Sequence, residues 1–448
     1  MRTLLINEDN CFALEGGTDD TTSLKRMKRN EQGVPSPWRQ VDAWMLQLPL
    51  VYFFISGILP SANSGVAMRL SGTGTDPSSF TGRSGILIMT IVCLLMTLPR
   101  LEAASRECIR MKASFGLCLL AFGSIAWSQI PQRSFANSAS VLTLSLFAVY
   151  LTKRFSPLQL MQLLTMAGTT AIVSSFLLVA AAPSIAVEST SGAWRGIFGA
   201  KNNCGEAALF ALIPMLYIPA SGGLQKLWRA IYMASALLLM VKSQARSAWC
   251  VTVCVFLLAA VLRALRRFTR KDAAVLSLML FVIAGLALCA VVASFSSILS
   301  LLGKDPTISQ RTIIWSAAWT SILKHPWLGY GYAAFWNGLE GESLNNILIS
   351  GWMQSQAQNG FIDLWLQLGI GGLLLFAVTV LTAFRDFVSC FTAGGRHSEW
   401  CFTVIVVTLL YNTSESNMFA PRQIYWLMYI LACAGLSQAA RNHRRLED

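Results

Sequence analysis

Charge is scarce in this sequence: only 13% of its residues are Asp, Glu, Lys or Arg, against about a quarter in a soluble domain. Histidine is scarcer still, with three in 448 residues. No polar segment is longer than about sixty residues, which excludes a large water-soluble catalytic domain. No Cys-x-x-Cys pair stands near His, so the eleven cysteines suggest neither a zinc nor a disulfide framework. Cys93, Cys118, Cys250, Cys254, Cys289 and Cys433 fall in apolar runs, where small buried hydrophobes are expected. A cytoplasmic nucleotide-sugar enzyme is disfavoured, because no Gly-rich βαβ unit or Asp-x-Asp motif stands in a segment expected to be cytoplasmic.

What the sequence has instead is apolar length. Hydrophobic residues make up 54% of it, and the mean hydropathy is +0.54. Apolar runs lie at about 43–60, 84–99, 113–128, 138–152, 158–182, 204–220, 227–241, 247–265, 273–302, 360–384, 399–412 and 423–438. A membrane-spanning helix takes about 20 apolar residues, so the expected fold class is all-α, a polytopic integral membrane protein with about twelve transmembrane helices. Residues 1–42 are polar and mixed in charge, lack the apolar core of a signal peptide, and read as a flexible cytoplasmic tail. Residues 43–440 form the expected membrane domain, and 441–448 a short cytoplasmic tail.

The net charge of +13 reports topology rather than nucleic acid. With the N-terminus inside, about 24 of the 35 basic residues fall in cytoplasmic segments, among them Arg263, Arg266, Arg267, Arg270 and Lys271. Both termini are therefore expected in the cytoplasm. That leaves a few external cations: Arg195, Lys201, Lys242, Arg246, Arg311 and Arg422. Each has an ordinary explanation in snorkelling to lipid headgroups. Convergence of several on one cavity would build an anion site instead.

The longest loop, about 303–359, is expected outside and is where a helical bundle can hold substrate-specific machinery. Ile308, Trp315, Trp319 and Ile322 recur at helical spacing and predict an amphipathic helix in the outer interface. Pro326 stops it, and Gly329 and Gly331 permit a tight turn whose N–H groups face either phosphate or, more commonly, neighbouring chain. A polar stretch, Ser355-Gln-Ala-Gln-Asn359, leads into the next span, where Gly369, Gly371 and Gly372 would let a helix approach closely.

Five strings occur in one order: Gly196-Ile-Phe-Gly-Ala-Lys-Asn-Asn-Cys-Gly205, Ser243-Gln-Ala-Arg-Ser-Ala-Trp249, Arg311 with Ile-Ile-Trp315, His325-Pro-Trp-Leu-Gly-Tyr-Gly331, and Gln358-Asn359 followed by Leu368-Gly-Ile-Gly-Gly372. This series resembles the O-antigen ligase and polymerase (Wzy-type) superfamily, and within it the exopolysaccharide polymerase (ExoQ-like) branch. The resemblance implies a GT-C-like architecture in the bacterial inner membrane and a metal-independent glycosyltransferase with no cofactor. It also implies an undecaprenyl-diphosphate-linked oligosaccharide as donor and a site facing the periplasm. Membrane lipids, a flippase and chain-length or export proteins are the implied partners, and nucleic acid is not among them. An O-antigen ligase with a lipid A-core acceptor, and a flippase or transporter, are the alternatives.

Without a metal ion, a departing lipid diphosphate is best met by guanidinium groups, which offer paired contacts to phosphate oxygens. Arg246 and Arg311 stand where the family places its diphosphate-binding arginines. Arg195, Lys201, Asn202, Asn359 and Trp315 are the implied substrate-binding residues. Family sequences often carry His in the segment filled here by Gln356 and Gln358, which can hydrogen-bond an acceptor hydroxyl but cannot take its proton. Either proton removal is not concerted with attack, or a carboxylate such as Asp363, Glu340, Glu342 or Glu415 supplies the base. His325 reads more readily as a capping or packing residue than as that base.

Overall fold

Pro131, Pro157 and the capping pair Ser156 and Gln159 mark helix starts in the sequence, and helices begin there. The computed structural model of the protein describes residues 50, 88, 90–97, 101–265, 311–351, 354–391, 395–420 and 424–447. The described helices are α1 (Leu101–Arg110), α2 (Lys112–Gly123), α3 (Pro131–Arg154), α4 (Pro157–Ala181), α5 (Pro183–Ala186), α6 (Lys201–Tyr217) and α7 (Gly223–Ser243), then α8 (Arg246–Leu265), α9 (Arg311–Lys324), α10 (Gly341–Ser350), α11 (Gly360–Cys390), α12 (Gly395–Tyr411) and α13 (Ile424–Glu447). An isolated bridge between Val187 and Trp194 is the one β contact among the described residues. The all-α expectation therefore holds over them.

Five of these helices, α3, α4, α7, α8 and α11, are long and apolar enough to cross a membrane. The runs expected at 113–128, 204–220, 399–412 and 423–438 also fall on helices, namely α2 with its 3-10 extension, α6, α12 and α13. Residues 273–302, and 43–60 apart from Leu50, lie outside the described residues. The less apolar helices are explained by their position. α6 packs on α4, α7, α8 and α12, while α13 packs on α3, α11 and α12. Every residue of α6 from Cys204 to Tyr217 is buried, so Glu206 there meets protein rather than lipid.

Successive long helices reverse direction, which sorts the polar groups into two ends. At one end Glu107 is buried and receives hydrogen bonds from Lys153 at 2.7 Å and Arg441 at 2.9 Å, joining α1, α3 and α13. Burial alone would raise the Glu107 carboxyl, but these cations outweigh it and hold it below the usual range. The other end carries the 187–202 segment, the start of α8, the loop 354–359 and the loop 412–420.

The decisive local feature is a break in α11. Gly369 has φ +65° and ψ −166°, conformations that favour glycine. The interrupted ladder is completed by the segment after α9: Tyr330 and Gly331 N–H groups donate to the Leu366 and Gln367 carbonyls at 2.8 and 3.0 Å, and Ile370 N–H donates to Pro326 at 2.9 Å. The Gln367 side chain accepts from Ala333 N–H at 2.9 Å. The Gly329-Tyr-Gly331 turn thus directs its amides to neighbouring chain rather than to phosphate. Gly369 is approached by the backbone of Trp327 and Leu328, not by a helix as the sequence suggested.

A helix, α9, stands where the amphipathic helix is expected, but its packed face is Ile314, Ala318 and Ile322 against Tyr330, Phe335, Trp336 and Leu366. Trp319 is half exposed, and Ile308 lies outside the described residues. Cys93, Cys118 and Cys433 are buried as expected, whereas Cys250 and Cys254 sit on an exposed face of α8, since both follow the lipid-side spacing of Val253 and Leu257.

Two measurements check this fold. In a cysteine-free background, an external reagent should label Asn345→Cys, which is exposed on α10, but not Ser221→Cys in the α6–α7 turn; the reverse pattern overturns the topology. Gly369→Ala places a Cβ 2.1 Å from the Trp327 carbonyl oxygen, whereas Gly371→Ala meets only Leu120 at 3.8 Å. Thermal unfolding in detergent should show a loss of about 3 kcal/mol or more for the first and little change for the second.

Candidate functional site

Arg311 opens α9 at the site end, where its Nε donates to the Gln358 side-chain oxygen at 2.8 Å. Its Nη2 lies 3.6 Å from Glu415 Oε1, and the side chain keeps 30% exposure. The same Glu415 oxygen accepts from Asn202 Nδ2 at 3.0 Å. Four segments distant in sequence, the start of α6, the start of α9, the loop before α11 and the loop after α12, therefore meet at one charged cluster. Burial pushes the Glu415 carboxyl above the usual range, with Arg311 and Asn202 pulling against that without cancelling it.

The loops that present these groups are tightly held. Asn359 caps α11, its side-chain oxygen accepting from Phe361 and Ile362 N–H at 3.0 and 3.2 Å. Its own N–H donates to Ser416 at 2.9 Å. Gly360 N–H donates to the carbonyls of Asn412 and Glu415, and the Asn412 side chain receives Asn417 and Met418 N–H groups. Asp363 fixes the other side, with Oδ1 accepting from Trp336 at 2.6 Å and Oδ2 from Ala357 N–H at 2.9 Å. Trp315 donates its indole N–H to the Ala357 carbonyl at 2.9 Å. Gln358, between these anchors, has φ +53°, a left-handed conformation that turns its side chain toward Arg311.

Beneath the cluster lies a buried polar layer. Glu206, one turn below Asn202 on α6, receives the Asn417 amide and the Tyr425 hydroxyl. Tyr411 at the end of α12 is hydrogen-bonded to Ser247 and lies 3.5 Å from the Asn202 carbonyl. Ser247 follows Arg246, which opens α8 exposed and makes no ion pair or hydrogen bond among the described residues.

A strap, residues 187–200, borders the cluster. Lys201 pairs with Glu188 at 2.9 Å, and the Ser191 hydroxyl together with Lys201 holds the Glu188 carboxyl below its usual range. Arg195 donates to the Ile185 carbonyl at 2.6 Å. Trp194 N–H donates to the Lys242 carbonyl, and the Lys242 ammonium lies 5.8 Å from the Trp194 ring.

Of the residues nominated from sequence, Arg311, Gln358 and Asn202 are brought into direct contact or share Glu415, whereas Arg246 makes no contact with them among the described residues and only its chain neighbour Ser247 reaches Tyr411. Asn359 and Trp315 are engaged in holding the loop. Gln356 is half-buried and makes no hydrogen bond among the described residues. Lys201 and Arg195 face the strap. Sequence reasoning left Glu415 level with three other carboxylates and did not find Glu206, Tyr411 or Asn417. The available signal was the polar run Asn412-Thr-Ser-Glu-Ser-Asn417 between two apolar segments.

These helices and their charged end define a multi-pass helical membrane protein with a polar site at one end of the bundle. Residues 231–377 match the family model described as O-Antigen ligase, so over that segment the resemblance to the O-antigen ligase and polymerase superfamily stands. The segment includes Arg246, Arg311, Trp315, Gln356, Gln358 and Asn359, while Arg195, Lys201, Asn202 and Glu415 lie outside it. No curated protein matches the chain.

Because Asn359 caps α11, Asn359→Ala should lower stability by about 1 kcal/mol in thermal unfolding in detergent, and unchanged stability would overturn the capping role.

Proposed function

We propose that the protein polymerises undecaprenyl-diphosphate-linked oligosaccharide repeat units into exopolysaccharide at the periplasmic face of the bacterial inner membrane, with both termini cytoplasmic. The observation that carries this reading is the placement of Arg311. It keeps 30% exposure, is oriented by a neutral amide on Nε, and is linked through Glu415, Asn202, Tyr411 and Ser247 to the start of α8, where Arg246 has no partner among the described residues. Two guanidinium groups at one end of a lipid-facing bundle suit a lipid diphosphate whose charge grows as the glycan leaves.

In this reading Arg246 and Arg311 bind the diphosphate and supply the positive charge without a divalent metal. Gln358 orients Arg311 through its oxygen and keeps its amide N–H groups for the acceptor, beside Gln356. Asn202 sets Glu415, Lys201 and Arg195 flank the glycan path, and Asn359 and Trp315 fix the loop. A flippase and chain-length or export proteins would supply the donor and receive the polymer. The description of the matching family favours a second reading, an O-antigen ligase that passes the same donor to lipid A-core. The two share the donor site and differ in the acceptor.

Purified protein in nanodiscs with defined lipid-linked repeat units should form longer lipid-linked glycans. Transfer only to added lipid A-core identifies the ligase, and translocation in vesicles without new glycosidic bonds overturns both readings. Arg246→Lys and Arg311→Lys keep the charge but lose the fork, and each should lower kcat on the order of a hundredfold with expression intact. Full synthesis by the double Arg→Ala variant, or activity removed by a chelator and restored by Mg²⁺, would overturn the diphosphate assignment.

A further inference from the structure

The acceptor hydroxyl must lose a proton as it attacks, and neither glutamine before α11 can take it. The described carboxylates at the site end differ sharply in what they are free to do. Asp363 has both oxygens engaged, by Trp336 and by Ala357 N–H. Glu206 is fully buried and held by Asn417 and Tyr425. Glu342 is paired with Lys324 at 2.8 Å, at the opposite end of α9 from Arg311, and Glu340 receives Asn337 at 2.8 Å. Glu188 is neutralised by Lys201.

Glu415 is set apart by its place beside Arg311 rather than by a free oxygen, since Glu188 and Glu340 also keep one oxygen without a hydrogen bond among the described residues. Its Oε1 is fixed by Asn202 and Arg311, while Oε2 has no hydrogen bond among the described residues. The carboxylate is thereby oriented with one oxygen held and the other without a hydrogen bond, in a side chain that keeps 8% exposure beside the arginine that would grip the leaving group. A general base has to combine this fixed orientation with reach to the reacting proton.

We propose that Glu415 is the base that takes the proton of the acceptor hydroxyl, an inference that rests on the glycan-transfer reading above. The acceptor oxygen forms a bond to the anomeric carbon as its O–H bond breaks toward Glu415 Oε2. The bond between the anomeric carbon and the phosphate oxygen breaks, and its electron pair leaves with the lipid diphosphate, which Arg246 and Arg311 hold. The proton then passes from Glu415 to water, restoring the carboxylate.

The charged and titratable groups around Glu415 are Arg311 from α9, Glu206 from α6 and Tyr411 from α12. Burial raises the Glu415 carboxyl, so the base loses its ionised form as pH falls through a value above the ordinary range near about 4.3. Activity should therefore fall on the acid side earlier than an exposed glutamate would allow.

The test compares wild type, Glu415→Gln and Glu415→Asp in nanodiscs with a defined lipid-linked repeat unit, after checking that each elutes as a single species. Glu415→Gln should lower kcat by about a hundredfold or more and abolish the acid limb, with donor KM within about threefold of wild type. Glu415→Asp should recover part of the rate together with a pH-dependent limb. Azide, a nucleophile that carries no proton to remove, should restore donor consumption in Glu415→Gln. If kcat falls less than about tenfold, if the acid limb persists in Glu415→Gln, or if only donor KM changes, Glu415 positions Arg311 and the proposal is overturned. Wild type that transfers no glycan at all would overturn the transfer reading itself.

Discussion

A backbone carbonyl that loses its helical partner inside a membrane has no water to turn to, and that constraint shapes the site end of this protein. The break at Gly369 releases the Leu366 and Gln367 carbonyls, and among the described residues they are answered by the 326–331 turn. Docking that turn fixes the end of α9, and α9 in turn fixes where Arg311 begins. The same turn brings Tyr330, Phe335 and Trp336 against α9 and α11, and Trp336 holds Asp363, which holds the 357–359 backbone. A single interrupted helix thus positions both the arginine and the loop that faces it.

The electrostatic arrangement follows a gradient from exposed to buried. Arg311 is met first by a neutral amide and only at 3.6 Å by a carboxylate, so its charge is oriented without being fully compensated. A tight bidentate pair with Glu415 would neutralise both groups in advance and leave little field for an incoming anion. Deeper in, Glu206 is satisfied by neutral donors rather than by a cation. Fixed positive charge is thereby kept at the surface layer, where Arg246 and Arg311 lie.

Sequence reading succeeded where periodicity or local chemistry decides the outcome. The apolar runs over 138–152, 158–182, 227–241, 247–265 and 360–384 all fall on long helices. It also placed α6 and α12, at 204–220 and 399–412, but not their burial within protein, which lets them carry Glu206 and Glu399 inside the bundle. It missed α10, a ten-residue helix with few apolar anchors that is held largely through Glu342, Asn346, Ser321 and Lys324. Arg311 and Gln358 were legible as chemistry, but their contact was not, since 47 residues separate them and a left-handed backbone at Gln358 completes the geometry. Glu415 was the hardest to read: its significance comes from Asn202, 213 residues away.

The Glu206–Asn417 contact also bears on how the chain is built. The two residues are 211 positions apart, so α6 enters the membrane long before its partner has been synthesised. Until the loop after α12 and the start of α13 arrive, Glu206 lacks both Asn417 and Tyr425, and its carboxyl stands in a half-built bundle without its final donors. Closure of the polar layer is therefore a late event in biogenesis. A nascent chain that stops before α12 carries an unmet polar group in the bilayer, the kind of defect by which membrane quality control can distinguish an unfinished bundle from a finished one.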